Sequence, residues 1–126
     1  MADIKTRVKV QTAFTIPARL VEDMGGYEEV VFEELSANDE MAATKRCGND
    51  GLRLGWELAR EGLRWARKAG EKELERISTQ DATVDIFWNG VGPNGRALLM
   101  AAFSQVHSAK PEDVSDFLKS RAVRVG

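Results

Sequence analysis

The side chains that most often carry chemistry are scarce in this sequence. His107 is its only histidine and Cys47 its only cysteine. A structural zinc site needs several such ligands, and a Ser-His-Asp arrangement needs a serine placed for attack, for instance in a G-x-S-x-G turn, which the chain lacks. We therefore expect no catalytic residue, no metal and no cofactor, and we interpret His107 as a polar residue at a helix end.

A glycine-rich segment, Gly90–Gly95, precedes an expected helix, and such segments can cradle phosphate. Its sequence, GVGPNG, matches neither G-x-G-x-x-G nor the P-loop, which requires a Lys-Ser/Thr pair. Pro93 also removes one of the backbone N–H groups that a phosphate would use. We therefore interpret the segment as a turn between two helices.

Nucleic-acid binding is a second chemistry to consider, because several arginines lie close to two tryptophans in the middle of the chain. The whole chain, however, has 18 basic and 20 acidic residues and a net charge of -2, whereas nucleic-acid binders usually carry a basic excess. Glu57 and Glu61 interrupt the basic residues, which is typical of a solvent-exposed face of mixed charge. We expect no nucleic-acid partner, and salt-sensitive DNA binding that depends on Arg60 and Arg64 would revive that hypothesis.

Membrane insertion is not expected either. The longest uninterrupted apolar run is Ala97–Phe103, far short of the roughly 20 residues that span a bilayer. The segment Met1–Val10 alternates charged and apolar side chains and lacks the apolar core of a secretory signal. A single cysteine forms no intrachain disulfide, which fits a reducing compartment. We therefore expect a cytoplasmic protein.

The elements that position these residues begin with two strands. From Ile4 to Ile16, β-branched and other apolar residues occupy the even positions, which is the period of a half-buried strand. Pro17 ends this strand, Met24–Gly26 supplies a flexible turn, and a second strand is expected over Tyr27–Leu35. Two strands alone are marginally stable, so we expect this hairpin to pack on the helices that follow.

Helices are predicted for most of the remaining chain. Ser36 and Asp39 have the spacing of a capping box, which predicts a helix start. A longer helix is expected over Leu52–Lys68, because its apolar residues recur at spacings of three and four along two adjoining stripes. A short helix is expected around Ile86–Trp88, and Pro93 suits the first turn of the next one.

The last predicted helix begins at Pro111, and its apolar residues, Val114, Phe117 and Leu118, are expected to face inward. We predict an α+β fold in which an N-terminal β-hairpin (residues 1–35) packs on a small, mostly α-helical bundle (residues 36–120), followed by a tail (residues 121–126). Because no repeat, low-complexity stretch or linker divides the chain, we predict a single domain over residues 1–126.

Large aromatic side chains are numerous for a domain of this size. Three tryptophans, and a helix with two apolar stripes, predict that one side of the helical part faces another protein. Burial in the core is the alternative for each of these side chains. The candidate partner-binding residues are Trp56, Leu63, Trp65, Phe87, Trp88 and Phe103. We expect other proteins as partners, and homo-oligomerisation is a further option.

Several segments together resemble a known family. Asp85–Arg96 (DIFWNGVGPNGR), then Leu98–Phe103 (LLMAAF) and Pro111–Ser120 (PEDVSDFLKS), with Phe32–Ala42 (FEELSANDEMA) before them, resemble tail assembly chaperones of tailed bacteriophages and prophages. The shared features are a pattern of aromatic residues and turns, with a helical part that follows a short hairpin.

This resemblance implies a protein without enzymatic activity. Such chaperones bind the long tape measure protein during tail assembly and help to recruit tail tube subunits around it. A tape measure helix exposes apolar surface before the tube covers it, and a groove between amphipathic helices would shield such a segment. The alternative is a small structural virion component, such as a tail or connector subunit, which assembled particles would retain.

Overall fold

A computed structural model of the chain describes residues 8–125, and the side chains of residues 8–119. Strands and helices are interleaved along the chain, and the predicted α+β class is confirmed. The bounds are β1 Gln11–Thr15, β2 Tyr27–Glu33, α1 Ala37–Cys47, α2 Gly51–Gly62, β3 Leu63–Lys68, β4 Glu75–Arg76, α3 Thr83–Asn89, α4 Pro93–His107 and α5 Pro111–Val125, with one 3₁₀ turn at Ala18–Leu20.

The four strands form one antiparallel sheet in the order β1-β2-β3-β4. The first two make the predicted N-terminal hairpin, in which Ala13 lies opposite Val31. Gly25 and Gly26 form the bend before β2 with φ angles of 73° and 89°, which favour glycine. The predicted strand ran from Ile4 to Ile16, whereas β1 begins at Gln11 and ends at Thr15. Residues 4–7 of that prediction lie outside the described part of the chain.

The predicted helix over Leu52–Lys68 is wrong in its second half. α2 ends at Gly62, and Leu63 already has extended backbone angles (φ -77°, ψ 120°). The following residues form β3, which pairs with β2 on one side and with β4 on the other. The bundle is therefore smaller than predicted, and the sheet has two strands more than the predicted hairpin.

A β-bulge explains the helical pattern of the β3 sequence. Leu63 pairs with Phe32 and Trp65 pairs with Val31, so Arg64 is an extra residue in the ladder. The bulge leaves Leu63 and Ala66 on the same face of the sheet, and both are fully buried. Their spacing of three residues therefore comes from a strand irregularity and not from a helical turn.

The hydrophobic core lies between the sheet and the helices. Its largest fully buried side chains are Val30 and Phe32 of β2, Leu63 of β3, Leu99 of α4, and Met24 of the bend before β2. α1 packs on α2, and α4 packs on both α2 and β2. The helices therefore pack on one face of the sheet.

The capping box predicted at the start of α1 is confirmed. The Asp39 N–H donates to Ser36 Oγ at 3.2 Å, and the Ser36 N–H donates to Asp39 Oδ2 at 3.0 Å. Lys9 Nζ donates to the same carboxylate oxygen at 3.0 Å. Partial burial raises the pKa of Asp39, but these hydrogen bonds outweigh it and hold that pKa below its usual value.

α5 differs from the prediction in two ways. It continues to Val125, beyond the boundary predicted at residue 120. The expectation that its apolar residues face inward is wrong, because Val114, Phe117 and Leu118 are 44%, 71% and 52% exposed. Apolar periodicity identifies one side of a helix, but it does not identify the surface that covers that side. Within residues 8–125, no helix combines the length and apolar character needed to cross a membrane.

Candidate protein-binding groove

Two tryptophans from different helices form the centre of an open groove. Trp56 of α2 and Trp88 of α3 have ring centroids 6.2 Å apart, with planes tilted by 57°. Trp88 is buried, whereas Trp56 is 44% exposed. Leu52 is 81% exposed and completes the apolar wall of this groove, which has a volume of about 460 Å³. We call it the α2–α3 groove; it is the kind of concave apolar surface that binds other proteins.

The α2 wall of the groove is the uncovered half of a predicted apolar stripe. Along that stripe the exposed fraction falls from 81% at Leu52 to 44% at Trp56 and 0% at Ala59. Asp50 caps the helix by accepting a hydrogen bond of 3.1 Å from the Arg53 N–H. The cap fixes where the helix begins, and Leu52 in its first turn lies outside the core.

The α3 wall is fixed to the sheet by aromatic packing. Phe87 is buried, and its ring centroid lies 4.9 Å from that of Tyr27. The Tyr27 hydroxyl donates a hydrogen bond of 2.8 Å to Glu75 Oε2. Burial and this bond to a carboxylate raise the pKa of Tyr27 to about 12. α3 is thereby held in place, and Trp88 forms a fixed wall of the groove.

Buried charges lie along the side of the groove. Glu57 is 6% exposed and accepts hydrogen bonds from Arg60 at 2.8 Å and from Arg46 at 3.0 Å. Arg46 also donates to Glu61 at 2.9 Å, and Arg60 also pairs with Asp85 of α3. Partial burial lowers the pKa of Arg46, but its hydrogen bonds to the two glutamates outweigh this and raise it. The network joins α1, α2 and α3.

Of the six predicted partner-binding residues, the structure brings Trp56 and Trp88 together in the groove, with Phe87 behind them in the core. Leu52 and Arg53 also line the groove, although neither was among the predicted site residues. For Leu52 the available signal was its place on the same predicted apolar stripe as Trp56, four residues earlier.

The other three predicted residues lie away from the groove. Leu63 is fully buried in β3, and the ring of Phe103 packs beside Gly62, where an added Cβ would lie 3.4 Å from it. Trp65 is half-buried on the opposite face of the sheet, next to Val31. The predicted set therefore divides between the groove, the core and the far side of the sheet.

The arginines that suggested nucleic-acid binding are divided between α2 and β3, and Arg60, Arg64 and Arg67 pair with acids. Arg64 Nε donates to Glu33 at 3.2 Å, and Arg67 Nε donates to Glu29 at 3.4 Å. A second open cavity of about 440 Å³ lies beside Arg64 and Trp65. Its charged lining residues balance in sign: Lys9, Arg64 and Arg76 against Glu33, Asp39 and Glu61. The charges are mixed in sign, as predicted, but the predicted solvent-exposed face of one helix is wrong, because Glu57 and Glu61 are buried and Arg64 lies in β3.

The glycine-rich segment before α4 is a turn, as predicted, and a carboxylate already occupies the start of the helix. Asp23 Oδ2 accepts a hydrogen bond of 2.6 Å from the Gly95 N–H, and the Asp23 carbonyl accepts one of 2.7 Å from the Gly92 N–H. A Cβ at Gly92 would lie 2.0 Å from Asp23 Oδ1. The position that a phosphate would take is therefore filled by the protein's own side chain.

His107 is the last residue of α4, as predicted, and its ring is engaged with backbone on both sides. Nε2 accepts a hydrogen bond of 2.9 Å from the Leu35 N–H, so Nδ1 carries the proton and donates to the Phe103 carbonyl at 2.9 Å. The imidazole also stacks on the Phe103 ring, with centroids 4.2 Å apart. The imidazole therefore links the end of α4 to the segment between β2 and α1.

Metal-binding side chains do not converge in the described part of the chain: no group of three or more His, Cys, Asp or Glu residues could hold an ion there. Cys47 is a buried free thiol at the end of α1. The α2–α3 groove is the described surface at which large apolar side chains are most exposed beside a concave wall. Comparison of the chain with protein-family models, with curated proteins and with solved structures finds no match.

Proposed function

We propose that this chain is a non-enzymatic protein-binding factor that holds a helix of another protein in the α2–α3 groove. The observation that carries the proposal is the exposure of Leu52 and Trp56 beside Trp88. Tryptophan is among the residues that most often anchor protein interfaces, and covering such side chains removes apolar surface from water.

An amphipathic helix suits the shape and charge of this groove. Two helices form its walls, and apolar residues at helical spacing on a partner would lie along Leu52 and Trp56. The guanidinium group of Arg53 borders the groove, and no acid among the described residues pairs with it. An acidic side chain beside the partner's apolar stripe would complete this pairing.

The resemblance to tail assembly chaperones supports a more specific form of the proposal. In that form the partner is a phage tape measure protein, and the chain helps to recruit tail tube subunits in the host cytoplasm. A tape measure protein is a long helical chain whose apolar surface stays exposed until the tube surrounds it, so it would need shielding against aggregation. The α2–α3 groove would shield one segment of that helix.

The second candidate function is that of a small structural virion subunit. The observation that favours it is the exposed apolar side of α5, with Phe117 71% exposed. Surfaces of this kind are covered in permanent assemblies. Such a subunit would remain in finished particles, whereas an assembly chaperone would leave.

Affinity capture from phage-producing cells tests these proposals. The bait proteins are the tagged wild-type chain, Trp56→Ala, and Leu74→Ala as a matched control, since Leu74 is 41% exposed but lies with Trp65 away from the groove. We expect the wild type and the control to retain a very long, helix-rich protein, and Trp56→Ala to retain at least about tenfold less. Equal recovery with all three baits would contradict the groove, and the chain itself in purified virions would favour the structural role.

A further inference from the structure

The two edges of the sheet differ in their protection against pairing with a further strand. β4, at one edge, has two residues, Glu75 and Arg76, and both are charged. β1, at the other edge, has five residues (QTAFT), and within its length there is no charge, no proline and no bulge. Short length, charge, proline and bulges are the features that keep strand edges from pairing with other chains. β4 therefore has such protection, whereas β1 lacks it.

The direction of the backbone groups along the β1 edge follows from its register with β2. The Ile16 N–H donates to the Glu28 carbonyl at 2.8 Å, and the Val10 carbonyl accepts from the Glu34 N–H at 3.0 Å. Because alternate residues of an antiparallel strand bond to the same neighbour, the even residues of β1 bond to β2. The N–H and C=O groups of the odd residues therefore point away from the sheet, where no described strand lies beside them. These odd residues are Gln11, Ala13 and Thr15.

An apolar cavity of about 180 Å³ lies beside this edge. Its walls include Phe14 and Ile16 at the end of β1, and Leu98 and Ala101 on α4. None of the residues that line it is charged. A side chain that a neighbouring strand places in this cavity must therefore be apolar, because a charged group would lose its hydration there without gaining a partner.

The chain itself has an exposed apolar side chain at the required position. Val10 immediately precedes β1 and is 53% exposed. Because side chains alternate along a strand, Val10 lies on the same face as Phe14 and Ile16, which is the face that packs on the helices. When two β1 strands pair about a two-fold axis at Ala13, Val10 of one copy lies opposite Ile16 of the other. The exposed valine of each copy then lies at the cavity of its partner.

We propose that β1 pairs in antiparallel fashion with β1 of a second copy of this chain, with the two Ala13 residues opposite each other on the two-fold axis. In this register Gln11 of one copy pairs with Thr15 of the other, and the outward backbone groups form about six hydrogen bonds. The ladder ends at Pro17, which has no N–H to continue it. The two sheets become one continuous sheet across the dimer.

A second copy fits this edge because a single register accounts for several features of the chain. It pairs the outward backbone groups, brings two uncharged strands together and covers Val10 with a cavity that lacks charge. The two-fold axis applies each contact twice, so both valines and both cavities are covered. None of the residues that line this cavity lines the α2–α3 groove. The inference therefore goes beyond the proposed function and does not depend on it.

Disulfide formation in the full-length chain tests the register. The Cα atoms of a hydrogen-bonded antiparallel pair are about 5.5 Å apart, a distance that a disulfide spans. We expect Ala13→Cys to form a covalent dimer under a mild oxidant. Gln11→Cys is the matched control, because Gln11 is also exposed but lies about 14 Å from Gln11 of the other copy. The wild type, whose single Cys47 is buried, should not crosslink.

Sedimentation over a range of concentrations tests the contact of Val10 with the cavity. We expect the wild type to dimerise and Val10→Asp to raise the dissociation constant of the dimer at least about tenfold, because its carboxylate would enter an uncharged cavity. Ile86→Asp is the control, since Ile86 is 71% exposed on α3 and does not line the cavity. Circular dichroism should show equal folding of both variants, because both side chains are exposed.

Three results would overturn the proposed dimer. One is a wild type that stays monomeric at every concentration, and another is a dimer whose dissociation constant Val10→Asp leaves unchanged. The third is a covalent dimer of Gln11→Cys in place of Ala13→Cys, which would show a different register. The proposed function fails separately, because the capture experiment with Trp56→Ala tests the α2–α3 groove and leaves β1 unaltered.

Discussion

The imidazole Nε2 of His107 accepts a hydrogen bond of 2.9 Å from the backbone N–H of Leu35, a residue 72 positions earlier in the chain. Leu35 follows β2 and precedes the cap of α1, so this bond joins the end of α4 to the point where the sheet passes into the helices. A backbone N–H outside regular secondary structure needs such a partner when it is partly buried.

Removal of this imidazole should destabilise the fold. We expect His107→Ala to lower the free energy of unfolding by about 1–3 kcal/mol, because the Leu35 N–H loses its acceptor. Urea denaturation followed by circular dichroism measures the effect. Gln105→Ala, an exposed position on the same helix, is the control and should change stability little. A stability equal to wild type for His107→Ala would show that water replaces the ring without cost.

The first turn of α4 should not accept a side chain at Gly95. An added Cβ would lie 2.5 Å from Val91 Cγ1 and 2.8 Å from the Asp23 carbonyl oxygen. We expect Gly95→Ala to cost about 1–3 kcal/mol in unfolding free energy, since backbone must move to make room.

The control for that substitution is Gly51→Ala. Gly51 is the first residue of α2, and no atom lies within 4 Å of a Cβ built there. Alanine should therefore stabilise the protein by about 0.5 kcal/mol, because it lowers the entropy of the unfolded chain. Equal effects at the two glycines, measured by thermal unfolding, would contradict the packing around Asp23.

The capping carboxylate of Asp39 should make stability depend on pH in the acid range. Its pKa is lower in the folded protein than its usual value of 3.8, so the folded state favours the charged form. The stabilisation is therefore present above about pH 4 and is lost as pH falls through the folded-state pKa. Asp39→Asn should cost about 0.5–2 kcal/mol at neutral pH, and less as the pH is lowered.

Unfolding of the wild type and Asp39→Asn at a series of pH values measures this difference. Glu40→Gln is the control, because Glu40 is in the same first turn but its side chain is exposed. If the difference in unfolding free energy between Asp39→Asn and wild type stays constant down to pH 2, the charge of the Asp39 carboxylate is not its source.

The phenol of Tyr27 should ionise at a higher pH than a free tyrosine. It is the only tyrosine in the chain, so the absorbance change of phenol ionisation reports on Tyr27 alone. Its pKa is raised from 10.0 to about 12 by burial and by the hydrogen bond to Glu75. Because the folded state favours the neutral phenol, this contribution to stability is present below about pH 10 and is lost as pH rises towards 12.

Spectrophotometric titration of Glu75→Gln tests the cause of this shift. The pKa of Tyr27 should fall but remain above 10.0, because burial, the larger cause, is unchanged. Glu73→Gln, at an exposed position in the connection that precedes β4, should leave the titration as in wild type. If the pKa of Tyr27 in Glu75→Gln equals that of wild type, the Glu75 carboxylate does not contribute to the raised pKa.

Local patterns in the sequence were sufficient to predict the hairpin and the α1 cap. Alternating residues predict β1, the apolar residues that follow Gly25 and Gly26 predict β2, and the Ser36–Asp39 spacing predicts the start of α1 without any distant partner. β3 was not predictable in the same way, because the bulge at Arg64 puts Leu63 and Ala66 on one face at a spacing that a helix shares. Only the pairing with β2, which is a tertiary contact, decides whether these residues form a helix or a strand.

The site was predictable only in part, for the same physical reason. The stripe containing Trp56 was visible in the sequence, but the point along it at which the core stops covering α2 depends on how far α3 and α4 extend. The approach of Trp88 to Trp56 likewise depends on the anchoring of Phe87 against Tyr27. The exposure of the apolar side of α5 was not predictable for the same reason: the sequence shows which side of a helix is apolar, but not which surface packs against it.

The helix α2 and the strand β3 meet at consecutive residues, Gly62 and Leu63, with no loop between them. The chain length at this junction is therefore fixed, whereas the other elements of the described chain are joined by intervening residues. One inserted residue after Gly62 would shift β3 by a single step, turning Trp65 inward and Ala66 outward. The same insertion between Ala69 and Leu74, where β3 and β4 are joined by exposed residues, would lengthen a surface turn and leave the inside of the protein as it was.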